Sequence, residues 1–216
     1  MKSLLVIGMG RFGSRLALKL CEMDNDVMII DKNEECVEKM ASVCTDAQIG
    51  DCTNIEVLRA LGVRNFDICF VTIGDNFQAS LEITSLLKEL GAKYVISKAD
   101  SDIQRKFLLR NGADEVVYPT KEVAERLAIR SSAKNMFDFI ELSPGYSISE
   151  LPMLSSWEGR SIADIDVRKK YGLTILAIKK GETMMPISSA GYVFESNDHV
   201  ILLGKTSEIL KFSSKT

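Results

Sequence analysis

Three glycines at fixed spacing, Gly8-x-Gly10-x-x-Gly13, follow a short apolar run and open a helical pattern, and Asp31 ends the next apolar run. That combination suits a phosphate-binding turn. Gly8 permits the tight turn, Gly10 lets the main chain approach a diphosphate, and Gly13 lets the helix close on a sheet. Amides at the helix start then face the phosphate oxygens. Asp31 stands where a carboxylate accepts hydrogen bonds from a ribose diol. AMP, ADP, ATP and NAD all present that diol. Asp31 disfavours a 2′-phosphate, and so NADP, although Lys32 beside it softens the effect.

Arg11 and Phe12 lie between the second and third glycines. A cation in the first helical turn opposes the helix dipole by a few tenths to about 1 kcal/mol. An anion beside it would reverse that sign. By itself the residue fits a phosphate contact and a solvated arginine equally.

Ligands of open α/β sheets bind outside the carboxyl ends of the strands. Asp51 and Cys52 follow the third apolar run and could flank adenine. Thr72, Gly74 and Asn76 follow the fourth, and Lys98 ends the fifth, within reach of a phosphate. Each of these also fits ordinary turn chemistry.

Residues for hydride chemistry are scarce. His199, the only histidine, stands beside Asp198 at the start of an apolar strand and reads as structural. Tyr94 and Lys98 have the Y-x-x-x-K spacing of short-chain dehydrogenases. There the pair lies on a helix, whereas here it falls in a β-branched run. No Ser-His-Asp set, metal cluster or P-loop is evident, so the loop reads as holding a nucleotide for sensing. No catalytic residue and no metal ligand are assigned.

The elements that position these residues follow from two periodicities. Strands are expected at Ser3–Gly8, Asp26–Asp31, Ala47–Gly50, Ile68–Gly74, Tyr94–Lys98 and Glu115–Tyr118. Helices are expected at Arg11–Asp24, Glu34–Ala41, Asn54–Leu61, Asn76–Leu90, Ser101–Arg110 and Lys121–Ser132. In the first helix Phe12, Leu16, Leu20 and Met23 share a face. Six strand–helix rounds imply an α/β Rossmann-like, doubly wound parallel sheet of order 3-2-1-4-5-6.

After Ala133 the pattern changes. Strands are expected at Phe137–Leu142, Leu173–Lys179 and His199–Leu203, with Thr183–Ile187 pairing back across a turn. A short helix is expected at Ser161–Tyr171 and a last helical turn at Ser207–Phe212. This gives a small α+β domain over 136–216 behind a nucleotide-binding domain over 1–135.

Composition agrees with a two-domain globular chain. It has 216 residues, 46% hydrophobic and 26% charged, with a formal net charge of -3. Nucleic-acid binding, which calls for a basic surface, is disfavoured. No apolar run approaches the 18 or so residues that span a bilayer. The N-terminal apolar stretch runs straight into the glycines and reads as a strand, not a signal peptide. A cytoplasmic protein is expected. Cys21, Cys36, Cys44, Cys52 and Cys69 are odd in number with no C-x-x-C pair, so they read as buried or half-buried thiols.

GMGRFGSRLA, DVMIIDKNEE, IGDCTN, LGVRNFDICFVTIGDNFQAS, LLRNGADEVVYP and SIADIDVRKKYGLTILAIKKGE together resemble the RCK proteins, cytosolic gating subunits of the bacterial Ktr and Trk potassium uptake systems. One N–C domain pair with an arginine in the glycine loop resembles the KtrA type. The resemblance implies TrkA-N and TrkA-C domains and homodimers that build an octameric ring beneath a membrane-embedded potassium transporter subunit. It also implies peripheral placement on the inner face of the membrane, with ATP, ADP or NAD(H) biasing ring shape. Arg11 corresponds to the family's phosphate-contacting arginine, and Asp31, Asp51, Asn76 and Lys98 to nucleotide contacts. The stretch Ile162, Ala163, Asp166 and Arg168, with Pro186, matches where family C-terminal domains bind cyclic di-AMP between subunits. Relatives often carry a glutamate after the proline that ends strand six, at a divalent cation site. Here that position is Thr120, which withholds the ligand such a site needs. Two other readings remain at this point: a small NAD-dependent oxidoreductase, and a regulator of another cation transporter.

Overall fold

The computed structural model describes residues 1–133, 135–187 and 189–216. Two compact units divide the chain, Met1–Lys121 and Glu122–Thr216.

In the first unit, β1 (Ser3–Ile7), β2 (Asp26–Asp31), β3 (Asp46–Ile49), β4 (Ile68–Val71), β5 (Val95–Lys98) and β6 (Glu115–Val117) form one sheet. All pairs are parallel and the order is β3-β2-β1-β4-β5-β6. The strands alternate with α1 (Arg11–Glu22), α2 (Glu34–Ala41), α3 (Ile55–Leu61), α4 (Phe77–Glu89) and α5 (Asp102–Arg110), and β6 leads into α6 (Pro119–Ser132), most of which belongs to the second unit.

Successive side chains of a strand point to opposite faces, and β1 supplies both cores. Leu5 and Ile7 pack with Ile30, Leu58, Ile83 and Leu87, the α3 and α4 side. Leu4 and Val6 pack with Val27, Ile29, Ala17 and Leu16, the α1 and α2 side. The expected doubly wound sheet is therefore present, in the expected order.

Several boundaries differ from expectation. The α1 helix stops at Glu22, and its buried residues are Gly13 and Ala17, while Met23 is 64% exposed. Small residues let the helix approach the sheet, and the bulkier Leu16 and Leu20 flank that contact. Strand β4 ends at Val71 rather than Gly74, because Thr72 turns its hydroxyl to the Gly8 carbonyl. Helix α6 begins at Pro119. Proline lacks an N–H and is preset for the first helical position, so it starts that helix as well as ending β6.

The second unit holds an antiparallel sheet of order β10-β9-β11-β8-β7. Its strands are β7 (Asp138–Ser143), β8 (Tyr146–Pro152), β9 (Thr174–Lys180), β10 (Thr183–Pro186) and β11 (His199–Lys205). Strand β8 is absent from the sequence-based expectation. Its inward positions include Ser147 and Ser149, both buried, so the apolar alternation that marks a strand is broken. The expected helix at Ser161–Tyr171 is two, α7 (Ile162–Ile165) and α8 (Val167–Tyr171). They are split at Asp166, whose φ of 49° is left-handed. The last helix, α9, is Thr206–Ser213.

Trp157 centres this core, with ring centroids 5.2 Å from Phe194, 5.4 Å from Phe212 and 5.9 Å from Tyr171. Ile129 and Ala133 of the α6 region pack against the same core. That is why the division between units falls at Lys121/Glu122 instead of the expected 135/136.

Candidate functional site

A cleft of about 1040 Å³ opens at the carboxyl ends of the parallel strands. Its wall brings together Gly8, Gly10, Arg11, Phe12, Asp31, Lys32, Asp51, Cys52, Thr72, Gly74, Asn76 and Lys98. Of the first-unit residues expected at the nucleotide site, Gly13 alone stays off this wall, and its role is packing. A Cβ on Gly13 would run into the Gly8 carbonyl oxygen and the Thr72 hydroxyl.

The glycine turn has the geometry its residues suggest. Gly8 has φ +98°, a conformation that L side chains rarely adopt, and a Cβ there would sit 3.0 Å from Ile73. Gly8 N–H donates to Ile30 at 2.8 Å, and Thr72 Oγ1 donates to the Gly8 carbonyl at 2.6 Å. The loop is thus tied to β2 on one side and to the end of β4 on the other.

Gly10 is different. It is exposed, and a Cβ built on it would meet nothing within 4 Å. It is the N-cap of α1, and it supplies no capping side chain. The next four helices all have one. Asn33 caps α2, Asn54 caps α3, Asn76 caps α4 and Ser101 caps α5. The first N–H groups of a helix have no intrahelical acceptor, and α1 also carries no acidic residue in its first turn. Its first amides and dipole therefore face the cleft with no side-chain cap and no acid from the first turn, a setting that favours an anion. Arg11 adds an exposed cation at the same place.

Asp31 closes the opposite wall. One carboxylate oxygen accepts Met9 N–H and the other accepts Asn33 N–H at 2.8 Å. A carboxylate offers about four lone-pair sites, so the aligned group retains acceptors for a diol. Asp51 accepts from Thr53 N–H at 3.0 Å and Thr53 Oγ1 at 2.7 Å. Those bonds, main chain first, with the Lys32 charge, hold its carboxyl below the ordinary aspartate value. Cys52 is buried, and burial with the Asp51 and Asp31 charges pushes its thiol up to about 12. Lys98 is held by both Asp100 oxygens, at 2.8 and 2.9 Å, against Gly74. Asp100, Thr53 and Gly50 also line the cleft and were not singled out from sequence as contacts, and Thr120, noted only for the missing glutamate, lines it too. The adjacency of Asp100 to the end of β5 is the signal that marked Lys98 and would have marked it.

Tyr94 and Lys98 do not form a dehydrogenase pair. Lys98 ends β5 and Tyr94 lies just before it. A strand advances about 3.3 Å per residue, so their Cα atoms stand roughly 13 Å apart. Tyr94 Oη meets Glu115 at 3.3 Å, and partial burial with that carboxylate raises the phenol's pKa.

In the second unit, Ile162 is half-buried, while Ala163, Asp166, Arg168 and Pro186 are exposed. They lie on α7, the break after it, α8 and β10. The α7 amides of Ile162 and Ala163 donate to Tyr192 and Ala190. His199 Nδ1 lies 2.8 Å from Glu150, which Lys179 also bridges at 2.9 Å, and its ring packs 4.5 Å from Phe137. That is a structural setting. Among the described residues, no cluster of three or more His, Cys, Asp or Glu could hold a metal. No described helix is long and apolar enough to cross a membrane.

A parallel 3-2-1-4-5-6 sheet with a glycine turn, an acidic β2 terminus and an uncapped α1 defines a Rossmann-type nucleotide-binding domain, here followed by a small antiparallel-sheet domain. The TrkA-N domain matches residues 4–119 and the TrkA-C domain matches residues 147–215. The chain is 38% identical over 214 residues to Ktr system potassium uptake protein C of Bacillus subtilis, covering 99% of this chain and 97% of the relative. It is 37% identical to Ktr system potassium uptake protein A of the same organism, covering 99% and 96%. The chain belongs to the TrkA-N/TrkA-C family of Ktr-type potassium uptake proteins. Among solved structures, the GsuK RCK domain aligns at TM-score 0.68 and 17% identity, over 99% of this chain and 47% of that one. The GsuK channel bound to NAD aligns at TM-score 0.69 and 18% identity, over 96% and 38%. The chain spans less than half the length of those structures, and the likeness is one of fold.

Proposed function

We propose that this chain is the nucleotide-sensing cytoplasmic subunit of a potassium uptake system. An adenine nucleotide, ATP or ADP or NAD(H), sits in the cleft with its phosphates on the α1 amides and Arg11. Its ribose sits on Asp31. Occupancy biases conformation, and a membrane-embedded potassium transporter subunit reads that bias. Homodimers assemble into an octameric ring peripheral to the inner face of the membrane.

The uncapped, open N-terminus of α1, beside four capped helices, carries the reading. A ligand can shift a two-state equilibrium only through differential affinity. Arg11 supplies a contact that depends on where the terminal phosphates end, so it can distinguish ATP from ADP. The absence of hydride chemistry is supported by Tyr94 and Lys98 facing carboxylates of their own. Cyclic di-AMP on Ile162, Ala163, Asp166, Arg168 and Pro186 is a second ligand that the family assignment supports.

The test is thermal melting with ATP, ADP, NAD⁺ and NADH, each at about 1 mM, on wild type and Arg11→Ala. A ligand of the folded state raises the melting temperature by mass action. ATP or ADP should stabilise most, and Arg11→Ala should weaken the triphosphate selectively. Stabilisation by NAD⁺ or NADH alone, unchanged in Arg11→Ala, would sink the ATP switch and favour a redox reading.

A further inference from the structure

The Cys21 and Cys44 sulfurs lie 3.6 Å apart, although the residues are 23 positions apart in sequence. Cys21 sits in the last turn of α1, and Cys44 sits in the turn between α2 and β3. Both are half-buried and both are free thiols. They meet in the core on the α1 and α2 side of the sheet, next to Met40 and Ala47. Cys52 and Cys69, by contrast, are buried in the opposite core. Close contact across a half-buried boundary is what a dithiol needs: the sulfurs are preassembled, and a small oxidant can reach them.

We propose that Cys21 and Cys44 form a peroxide-sensitive dithiol whose oxidation closes a reversible disulfide between α1 and the turn leading into β3. Burial, then the contact with Cys21, raises the Cys44 thiol above the ordinary cysteine value. We take Cys21 as the attacking sulfur, and the Cys44→Ser variant tests that order. Its thiolate attacks one oxygen of hydrogen peroxide and the O–O bond breaks. The leaving hydroxide takes up the proton that Cys21 released, giving water and a Cys21 sulfenic acid. The Cys44 sulfur then attacks the Cys21 sulfur and the S–O bond breaks. The departing hydroxide takes the Cys44 proton and leaves as a second water. Two electrons pass from the two sulfurs to peroxide, and a thiol reductant reverses the change.

The closed loop would contain β2 and α2, including Asp31. It staples α1 at the end away from Gly10, roughly 18 Å along a 12-residue helix. It also pins the entry to β3, an edge strand paired only with β2, with Ile49 half exposed.

The experiment treats the reduced full-length protein with hydrogen peroxide and maps its tryptic peptides without reduction. Cleavage places Cys21 on residues 20–32, Cys36 on 33–39, and Cys44 with Cys52 on 40–59. The expected product is 20–32 joined to 40–59, two hydrogens lighter than the sum. Fragmentation should put the bond on Cys44, and dithiothreitol should abolish the product. In Cys44→Ser the linked peptide should vanish, and Cys21 should become trappable as a sulfenic acid by dimedone. A link through Cys36 or Cys52, or wild-type Cys21 and Cys44 both still free after peroxide has oxidised other thiols, would overturn the proposal. The wild-type map decides the matter even where a variant fails to fold.

Discussion

The Asp31 carboxylate accepts the main-chain N–H of Met9, inside the glycine turn, and that of Asn33, at the start of α2. The residue proposed to hold the ribose therefore also holds the glycine turn in shape. In that proposal, ligand recognition and loop geometry share one side chain. Asp31→Ala should lower nucleotide affinity by at least about tenfold, because a charge-assisted bond of roughly 1.5–3 kcal/mol is lost with the ribose contact. Titration calorimetry with ADP is the check. Unchanged affinity would place the ribose elsewhere.

Gly13→Ala should damage the turn without touching the ligand. Its methyl would meet the Gly8 carbonyl and the Thr72 hydroxyl, two groups already bonded to each other. Overpacking of this kind costs about 1–3 kcal/mol. Gly10→Ala meets no protein atom, so it should keep the melting temperature and lose nucleotide stabilisation. Equal melting losses in the two variants would contradict this division of roles.

Glu150 gives the second unit a pH dependence. Burial pushes its carboxyl up, but hydrogen bonds from His199 and Lys179, with the Lys179 charge, outweigh that and hold it below the ordinary glutamate value. A depressed folded-state pKa contributes stability that is complete above the unfolded value, near 4.3. That stability is lost as pH falls through the folded value. Glu150→Gln should therefore cost about 1–3 kcal/mol at pH 7 and flatten the acid limb of a denaturation series. An acid limb as steep as wild type would remove Glu150 from the account.

Cys52 and Cys69 should resist alkylation in the native state. Burial raises both thiols to about 12, so at pH 8 the thiolate is scarce as well as enclosed. Labelling with a maleimide, followed by mass mapping, should find both protected until denaturant is added. Rapid native labelling of Cys69 would show that the core under α3 opens.

Arg168→Ala tests the second ligand. If cyclic di-AMP binds the second unit, wild type should show heat on titration and Arg168→Ala should show it at least about tenfold weaker, as expected for loss of a cation–phosphate contact. No heat with wild type, under conditions where ATP binds, would remove cyclic di-AMP from the proposed function.

Much of the first unit was legible in the chain because its signals are local. Continuous apolar runs mark strands buried on both faces, Asn33, Asn54 and Asn76 announce helix starts, and right-handed crossovers leave few topologies. The turn built by Gly8, Gly10 and Asp31 was legible because a tight strand–helix turn constrains neighbouring residues. The second unit was harder. Strand β8 buries Ser147 and Ser149 where apolar residues were expected, and Asp166 breaks a helix that periodicity would continue. Packing alone reveals that Ile129 and Ala133 belong to the second core.

Within the site, sequence placed the residues at the right strand ends but could not say what held them. Thr72 bonded to Gly8, Lys98 bonded to Asp100, and Asp31 bonded to Met9 are relations across the sheet. They arise only when strands separated in sequence pair side by side. The approach of Cys21 to Cys44 is the same kind of fact. Short-range pattern determined the elements, their order and the glycine turn. Long-range pairing determined which side chains share a hydrogen bond, because sequence spacing carries no record of distance once the chain turns back on itself.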